Sequence, residues 1–390
     1  MREEWKVALL IETARGYGRQ VLRGIIDYAN HHGRWSFYVT PSDFEQALPE
    51  MKQWGGTGII ARIMTPRLAR AIAATGLPTI ALDMPEDQPA ADNPFYGFSE
   101  LATDSFAAAQ MAAEHLLFKG FKHYAFVGRP GHVWSDRREK AFCESVTAAG
   151  FTPCVFRTSR RKRSLHWALE QKSLAQWLRE LPKPVGLMAC NDDRGREVLE
   201  GCRAARIEVP EEIAVIGVDN DSLLCDLAST PLSSVALNAE RGGFEAARLL
   251  HGLMSGQVTA PQGIVVEPLY IVSRHSTNIV ALEDADVAEA MRYIRDHAAQ
   301  PLRVQEVADV VGLSRRMLEI RFRAAMGRSL NDEIQRVHFE AAKRLLTETD
   351  WPMEKVARAS GYRGASYLSV LFQRFLKIKP TEYRRRTRTD

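Results

Sequence analysis

Val304-Gln305-Glu306-Val307-Ala308-Asp309-Val310-Val311-Gly312-Leu313-Ser314 and, 49 residues later, Met353-Glu354-Lys355-Val356-Ala357-Arg358-Ala359-Ser360-Gly361-Tyr362 carry one pattern twice. Apolar residues at helical spacing lead to a small alanine that lets helices cross closely, and then to a glycine. A glycine just past a helix takes the left-handed backbone of a tight turn, and Ser314 caps the helix that follows. Helix, glycine turn and capped helix make a helix-turn-helix. The apolar anchors after the glycine are Leu318, Phe322 and Ala325 in the first copy, and Leu368, Phe372 and Phe375 in the second. The second copy is one residue longer, with Arg363-Gly364 in its turn. Ile334–Leu346 between them predicts a helix long enough to keep two such units apart. A helical bundle holding the pattern twice by chance is the other reading, but it does not explain why each copy runs into a basic amphipathic helix.

The charge distribution agrees. The 390 residues hold 52 Lys and Arg, 48 Asp and Glu, and a net charge of +4. Residues 285–390 carry 21 basic against 14 acidic side chains, and residues 1–284 carry 31 against 34. A basic final third on a mildly acidic body suggests a polyanion-binding module joined to something else; a solvated basic face is the bland alternative. With 45% hydrophobic and 26% charged residues the chain can build real cores, which excludes disordered and fibrous classes. At ~150 residues per domain, two or three domains are expected. The opening apolar run, Val7–Ile11, follows Glu3 and Glu4 and is far shorter than the ~20 residues of a membrane span. Cys143, Cys154, Cys190, Cys202 and Cys225 form no C-x-x-C pair, so neither a zinc ribbon nor a disulfide framework is indicated. A soluble protein of a reducing compartment, the cytoplasm, is the expectation.

Before the helical tail, short apolar or β-branched runs at Val7–Ile11, Gly58–Ile60, Thr79–Leu82, Tyr124–Val127, Gly186–Ala189 and Ala214–Val218 alternate with helical stretches such as Arg19–Asn30, Thr103–Phe118 and Gly195–Ala205. Strand–helix–strand repetition reads as open parallel sheet with helices on both faces. About 280 residues is long for one sheet, so two similar lobes are predicted. After Arg274 the strand signal stops. The predicted fold is a two-lobed α/β domain over residues 1–275, a linker at 276–286, and an all-α double helix-turn-helix domain over 287–388.

Open α/β sheets bind ligands at the carboxyl ends of their strands. After the first strand, Gly16-Tyr17-Gly18 begins like a dinucleotide fingerprint, but Val21 stands where the third glycine belongs. A nucleotide-binding enzyme built on that turn is therefore the alternative function. No G-x-S-x-G elbow, Walker lysine loop or H-E-x-x-H helix is present, and Asp219-Asn220-Asp221 lacks the ligand spacing of a calcium loop. Catalytic residues, metal and cofactor are not expected. The strand ends instead offer planar hydrogen-bonding groups: Asn191-Asp192-Asp193, Asp219-Asn220, and Arg138 on a following helix. Such groups grip adjacent hydroxyls through paired hydrogen bonds. Tyr17 and Trp134 can lie against the apolar face of a sugar ring, with Arg19 nearby in the first turn. Taken singly, Asp192 and Asp219 also read as helix caps and Trp134 as a packing residue.

The order of these elements carries a resemblance. Ala102-Thr103-Asp104, Arg138-x-x-Ala141-Phe142, Ala189-Cys190-Asn191-Asp192, Ala214-Val215-Ile216-Gly217-Val218-Asp219 and Thr230-Pro231-Leu232-Ser233-Ser234-Val235 resemble the effector domain of the LacI/GalR regulators, which shares the fold of periplasmic sugar-binding proteins. The resemblance implies that Arg138, Asn191, Asp192 and Asp219 line a sugar cleft. A glutamine or aspartate common in that family after the Ser-Ser-Val segment is replaced by Ala236-Leu237-Asn238, so either Asn238 substitutes or the hydrogen-bonding set is smaller. The tail, with its double motif and its ending Phe375-x-x-x-x-Pro380-x-x-Tyr383-Arg384, is similar to the AraC family of transcription regulators. The two joined in this order resemble sugar-responsive activators of pentose catabolism. Gly16-Tyr17-Gly18-Arg19-Gln20, Ile216-Gly217-Val218-Asp219-Asn220, Arg274-His275-Ser276-Thr277 and Met291-x-Tyr293-Ile294-Arg295 extend that likeness over nearly the whole chain. It implies a homodimer that binds operator DNA, takes D-xylose or a related sugar as effector, and contacts RNA polymerase. A repressor using the same parts stays open.

The reading helices follow from phase. With Leu318 and Phe322 facing inward, the first helix turns Arg316, Glu319, Ile320 and Arg323 outward, with Arg315 beside them. Arginine reaches guanine, glutamate accepts from cytosine, and isoleucine meets a thymine methyl. The second helix turns Ser366, Ser369, Val370 and Gln373 outward, a set with fewer and shorter donors, so docking there is expected to lean on phosphate contacts from Arg363 or Lys377. The two helices are expected in successive major grooves, ~34 Å apart. Arg160-Arg161-Lys162-Arg163 is a second candidate DNA contact, an exposed loop being its plainer reading.

Overall fold

The computed structural model describes residues 4–39, 48–84, 97–157, 167–279 and 284–387. The first lobe is a parallel sheet of β1 (Glu4–Leu10), β2 (Arg34–Val39), β3 (Gly58–Arg62), β4 (Thr79–Leu82), β5 (Ser99–Thr103) and β11 (Gly263–Val266), in the order β11-β5-β4-β3-β1-β2. Val7, Ala8, Leu9 and Leu10 are all buried, because both faces of the sheet are covered. One face packs α1 (Gly16–His31) and α9 (Ala239–Met254); the other packs α2 (Met51–Trp54) and α3 (Pro66–Ala73).

The second lobe repeats the plan. Its strands are β6 (His123–Val127), β7 (Pro153–Val155), β8 (Val185–Ala189), β9 (Ile213–Val218), β10 (Ser233–Leu237) and β12 (Pro268–Val272), in the order β12-β10-β9-β8-β6-β7. Only β12 runs antiparallel to its neighbour. Around them lie α4 (Ser105–Leu117), α5 (Val133–Ala148), α6 (Trp167–Glu180), α7 (Asp192–Ala205) and α8 (Ser222–Leu227). The chain crosses between lobes after β5, after β10 and after β11, so the cleft is bounded by crossovers on one side and by strand ends on the other.

The expected linker begins too early. Residues 275–277 form a short 3-10 turn in which Ser276 and Thr277 are fully buried. The Ser276 hydroxyl donates to the Val215 carbonyl at 2.6 Å and accepts from the Ser233 amide at 2.8 Å, which makes this segment part of the second lobe. The tail starts at α10 (Ala285–Asp296), capped by Asp284, so the last linker positions are already helical. Residues 280–283 and the Arg160–Arg163 string lie outside the described residues.

In the tail, α11 (Val304–Val311), α12 (Arg315–Met326), α13 (Leu330–Glu348), α14 (Met353–Ala359), α15 (Ala365–Leu376) and α16 (Pro380–Thr387) build two small cores. The first joins α10, α11 and α12 to Leu330 and Ile334; the second joins α14, α15 and α16 to Phe339, Ala342 and Leu346. Helix α13 therefore belongs to both. Gly312 and Gly361 take φ of 75° and 80° at the two turns, and a Cβ on Gly361 would stand 2.5 Å from the His338 ring. Leu318, Phe322, Leu368 and Phe372 are fully buried, but Ala325 and Phe375 are exposed. Both lie in the last turn of their helices, where the small core beneath has run out; Leu371 fills the inner face of α15 instead.

Candidate functional site

Strand-to-helix turns from both lobes converge on a cavity of about 380 Å³. That volume falls within the ~300–1,000 Å³ of small-molecule sites. On the first lobe, Arg62 at the end of β3 is held by Glu12 at 3.0 Å and Asp83 at 2.7 Å, with its guanidinium 5.5 Å from the centre of the Tyr17 ring. On the second lobe, Arg138 is 2% exposed, donates to the Cys190 carbonyl at 2.6 Å, faces Asp219 at 3.5 Å, and sits 5.3 Å from the Trp134 ring centre. Each wall thus offers an arginine backed by an aromatic ring.

Asp219 is aimed by backbone strain. It and Asn220 take φ of 105° and 49°, conformations that non-glycine residues hold only when the surroundings fix them. The fixing bonds run from the Asp219 amide to the Val235 carbonyl, from the Asn220 amide to the Ser234 hydroxyl, and from Arg274 to the Asn220 side chain. Burial pushes the Asp219 carboxyl up to about 6, although Arg138 and Arg62 pull it down. Burial also raises the Tyr17 hydroxyl well above its usual range. Among the described residues the buried Arg138 Nε has no hydrogen-bond partner and the buried Tyr17 hydroxyl has at most the Thr103 hydroxyl, so both walls of the cavity keep spare hydrogen-bonding capacity.

Of the residues expected at the cleft, Tyr17, Trp134, Arg138, Asn191 and Asp219 line it, and Arg19, Asp192 and Asn238 do not. Asn191 caps α7 through its side-chain oxygen at 3.0 Å from the Arg194 amide. Asp192 points away: its carboxylate accepts from the Ser234 hydroxyl at 2.6 Å and the Asp221 amide at 2.7 Å, a buried strut inside the second lobe. Its neighbour Asp193 faces the cavity and pairs across it with Arg15 at 2.8 Å. Arg19 pairs with Asp221 at 2.9 Å, which ties α1 of the first lobe to the second. Asn238 sits on a crossover and donates to the Arg386 carbonyl in the tail at 2.8 Å. The sequence reading missed Glu12, Arg62, Asp83, Arg129 and His132, and it named Asp193 among the strand-end groups without choosing it for the cleft. Glu12, Asp83 and Arg129 each lie just past a strand, so the strand-end rule applied to every strand would have found them.

The Gly16-Tyr17-Gly18 turn is not a phosphate cradle. The Gly16 amide already donates to Asp221 at 2.7 Å, and a Cβ on Gly18 would lie 2.0 Å from the Glu12 carbonyl oxygen. These glycines let the lobes and the first turn approach closely. Among the described residues no group of three or more His, Cys, Asp or Glu could hold a metal ion, and no helix is long and apolar enough to cross a membrane.

In the tail, Arg315, Arg316, Ile320 and Arg323 are exposed on α12, with Glu319 tied to Arg315 at 2.9 Å. On α15, Ser366, Ser369, Val370 and Gln373 are exposed, with Arg363 in the turn before them. Ser369 spends its hydroxyl proton on the Ala365 carbonyl of its own helix. Met317 and Tyr367, each 49% exposed, stand among these groups and were not anticipated.

Two α/β lobes around a polar cleft, followed by paired helix-turn-helix units, define a ligand-responsive transcription regulator. Three family models match in chain order: a XylR N-terminal domain over residues 6–105, a periplasmic binding protein-like domain over 113–277, and a helix-turn-helix domain over 307–386. The xylose operon regulatory protein of Escherichia coli strain K12 is 32% identical over 383 residues, covering 97% of this chain and 96% of that one. Its counterpart in Haemophilus influenzae is 34% identical over 385 residues, covering 97% and 98%. A solved structure of the xylose-binding transcription activator xylR aligns with a TM-score of 0.62 at 32% identity, covering 98% of each chain. The chain belongs to the XylR family of xylose operon regulatory proteins.

Proposed function

We propose that the interlobe cleft binds D-xylose and that its closure changes how the two helix-turn-helix units are presented to operator DNA, activating transcription. The observation that carries the sugar assignment is the pair of buried polar atoms with spare hydrogen-bonding capacity among the described residues, Tyr17 hydroxyl and Arg138 Nε, on opposite walls of a cavity flanked by Trp134 and Asp219. A polyol with hydroxyls on adjacent carbons meets both walls at once, while an aromatic ring covers its apolar face. Relatives titled as xylose operon regulators and as a xylose-binding activator support the choice of sugar. In this reading the protein acts in the cytoplasm as a homodimer, and activation proceeds through contact with RNA polymerase. A thermal-shift panel of xylose, arabinose, ribose, glucose, NAD and ATP tests the ligand class. Stabilisation by xylose above the other sugars is expected; stabilisation by NAD or ATP and by no sugar would overturn the proposal.

A further inference from the structure

A second cavity, of about 390 Å³, lies in the seam between the effector domain and the tail, with α4 on one side and α10 and α13 on the other. Among the described residues Lys119, Arg295 and Arg336 line it, together with two carboxylates, Glu114 and Glu340. Lys119 is 5% exposed, and among the described residues its ammonium donates to the Ile279 carbonyl at 3.4 Å. Arg295 gives Nε to the Met291 carbonyl, while its Nη2 is buried with no partner among the described residues. The nearby carboxylates among the described residues have partners of their own. Glu333 is held by Arg328 and by Arg336 itself at 2.7 and 2.6 Å, Glu340 pairs with Lys343 at 2.8 Å, and Glu114 accepts from the neutral Gln110 amide, which leaves its charge in place. Burial, then the guanidinium groups of Arg295 and Arg336, hold the Lys119 ammonium well below its usual range.

Uncompensated buried cations are costly to a fold unless something anionic joins them. An ammonium beside two planar guanidinium forks is a donor-only set that matches the oxygens of a phosphoryl group. Met111, Ile271 and Val337 on the remaining wall leave an apolar bed for a small organic body.

We propose that this seam is a second effector site, taking a small phosphate-bearing anion held by Lys119 from the effector domain and by Arg295 and Arg336 from the tail. Because such a ligand touches both domains, it binds only when they are docked and shifts the equilibrium toward docking. The site is separate from the sugar cleft and stands whether or not that cleft takes xylose.

Isothermal titration of the full chain at constant ionic strength tests this, with inorganic phosphate, glycerol 3-phosphate, glycerol and sodium chloride as titrants. Saturable binding of phosphate or glycerol 3-phosphate, and none of glycerol or chloride, is expected. Equal affinity for the two phosphates identifies the free anion as ligand, and tighter glycerol 3-phosphate identifies a phosphate monoester. Lys119→Met and Arg295→Gln should each weaken binding by roughly tenfold or more. Circular dichroism checks that both variants stay folded. Heats no larger than those of chloride, or phosphate binding that survives in both variants, would overturn the proposal.

Discussion

At the scale of single residues, the cleft is governed by groups whose ordinary chemistry has been altered by where they sit. Asp219 is the clearest. An ionised carboxylate accepts sugar hydroxyls better than a neutral one, and burial places its titration at about 6 rather than near 3.8. Xylose affinity should therefore hold at pH 8 and fall as the pH drops through about 6, well above where an ordinary aspartate would act. Titrations from pH 5 to 8 check this, and Asp219→Asn should flatten the profile; a flat wild-type profile would remove Asp219 from the binding step. Arg138→Ala deletes the guanidinium that joins Cys190, Asp219 and Trp134. Losing a buried polar partner costs ~1–3 kcal/mol, so xylose should bind roughly tenfold more weakly while the protein stays folded. On α12, Arg316 is exposed, unlike Glu319, which Arg315 engages. Arg316→Ala should cost ~1–3 kcal/mol and relax preference at one base pair, whereas Arg363→Ala should weaken all sequences alike and flatten the salt slope. Selection on random DNA with each variant separates the two.

At the scale of elements, two helices explain what pattern reading can and cannot reach. The tail was legible because its period, its glycines and its caps all act within one or two turns: Gly312, Ser314 and Gly361 do locally what their residue types dictate. The buried strands β1, β3, β4, β6, β8 and β9 were legible as continuous apolar runs. Strands β2 and β7, at sheet edges, and β5, with its alternating Ser-Glu-Leu-Ala-Thr, carry no such run and were not. At the start of α7, Asp192 and Asp193 are adjacent and chemically identical, and only the phase of the helix decides that the second faces the cavity. Contacts between lobes were beyond reach for a different reason: Arg19 and Asp221 lie 202 residues apart. That pair, with the Gly16 amide on the same carboxylate, ties α1 to the second lobe. Asp221→Ala should open the lobes, reduce the binding-competent fraction and raise the apparent Kd for xylose by about that factor. Small-angle scattering without sugar should show a larger radius; an unchanged radius and Kd would mean that the tie does not hold the lobes together.

At the scale of the whole molecule, the effector domain and tail touch through specific groups rather than through a bare linker. Tyr270 donates to Glu348 at 3.0 Å, Asn238 on the crossover donates to Arg386, and Phe118 lies under Arg328 and Arg336 at 4.2 and 4.9 Å. A crossover between the lobes thus carries a side chain bonded to α16, a route by which the proposed closure would reach the tail. Coupling of this kind is reciprocal, so operator DNA should raise xylose affinity by the factor by which xylose raises DNA affinity. Two linked titrations measure both factors, and Asn238→Ala should reduce them together. Independence of the two ligands would show that the seam transmits nothing.

The strand order has a further consequence during synthesis. Strand β11 closes the edge of the first lobe against β5, yet it is made some 160 residues later, after the whole of β6 to β10. As the chain leaves the ribosome, neither lobe can be finished before the other is almost complete, and the helices that would touch DNA emerge after both. A message cut short or a ribosome stalled within the first two thirds yields a fragment with an open sheet edge and no reading helices. Within this order, a product that has the reading helices already carries both lobes of the effector domain.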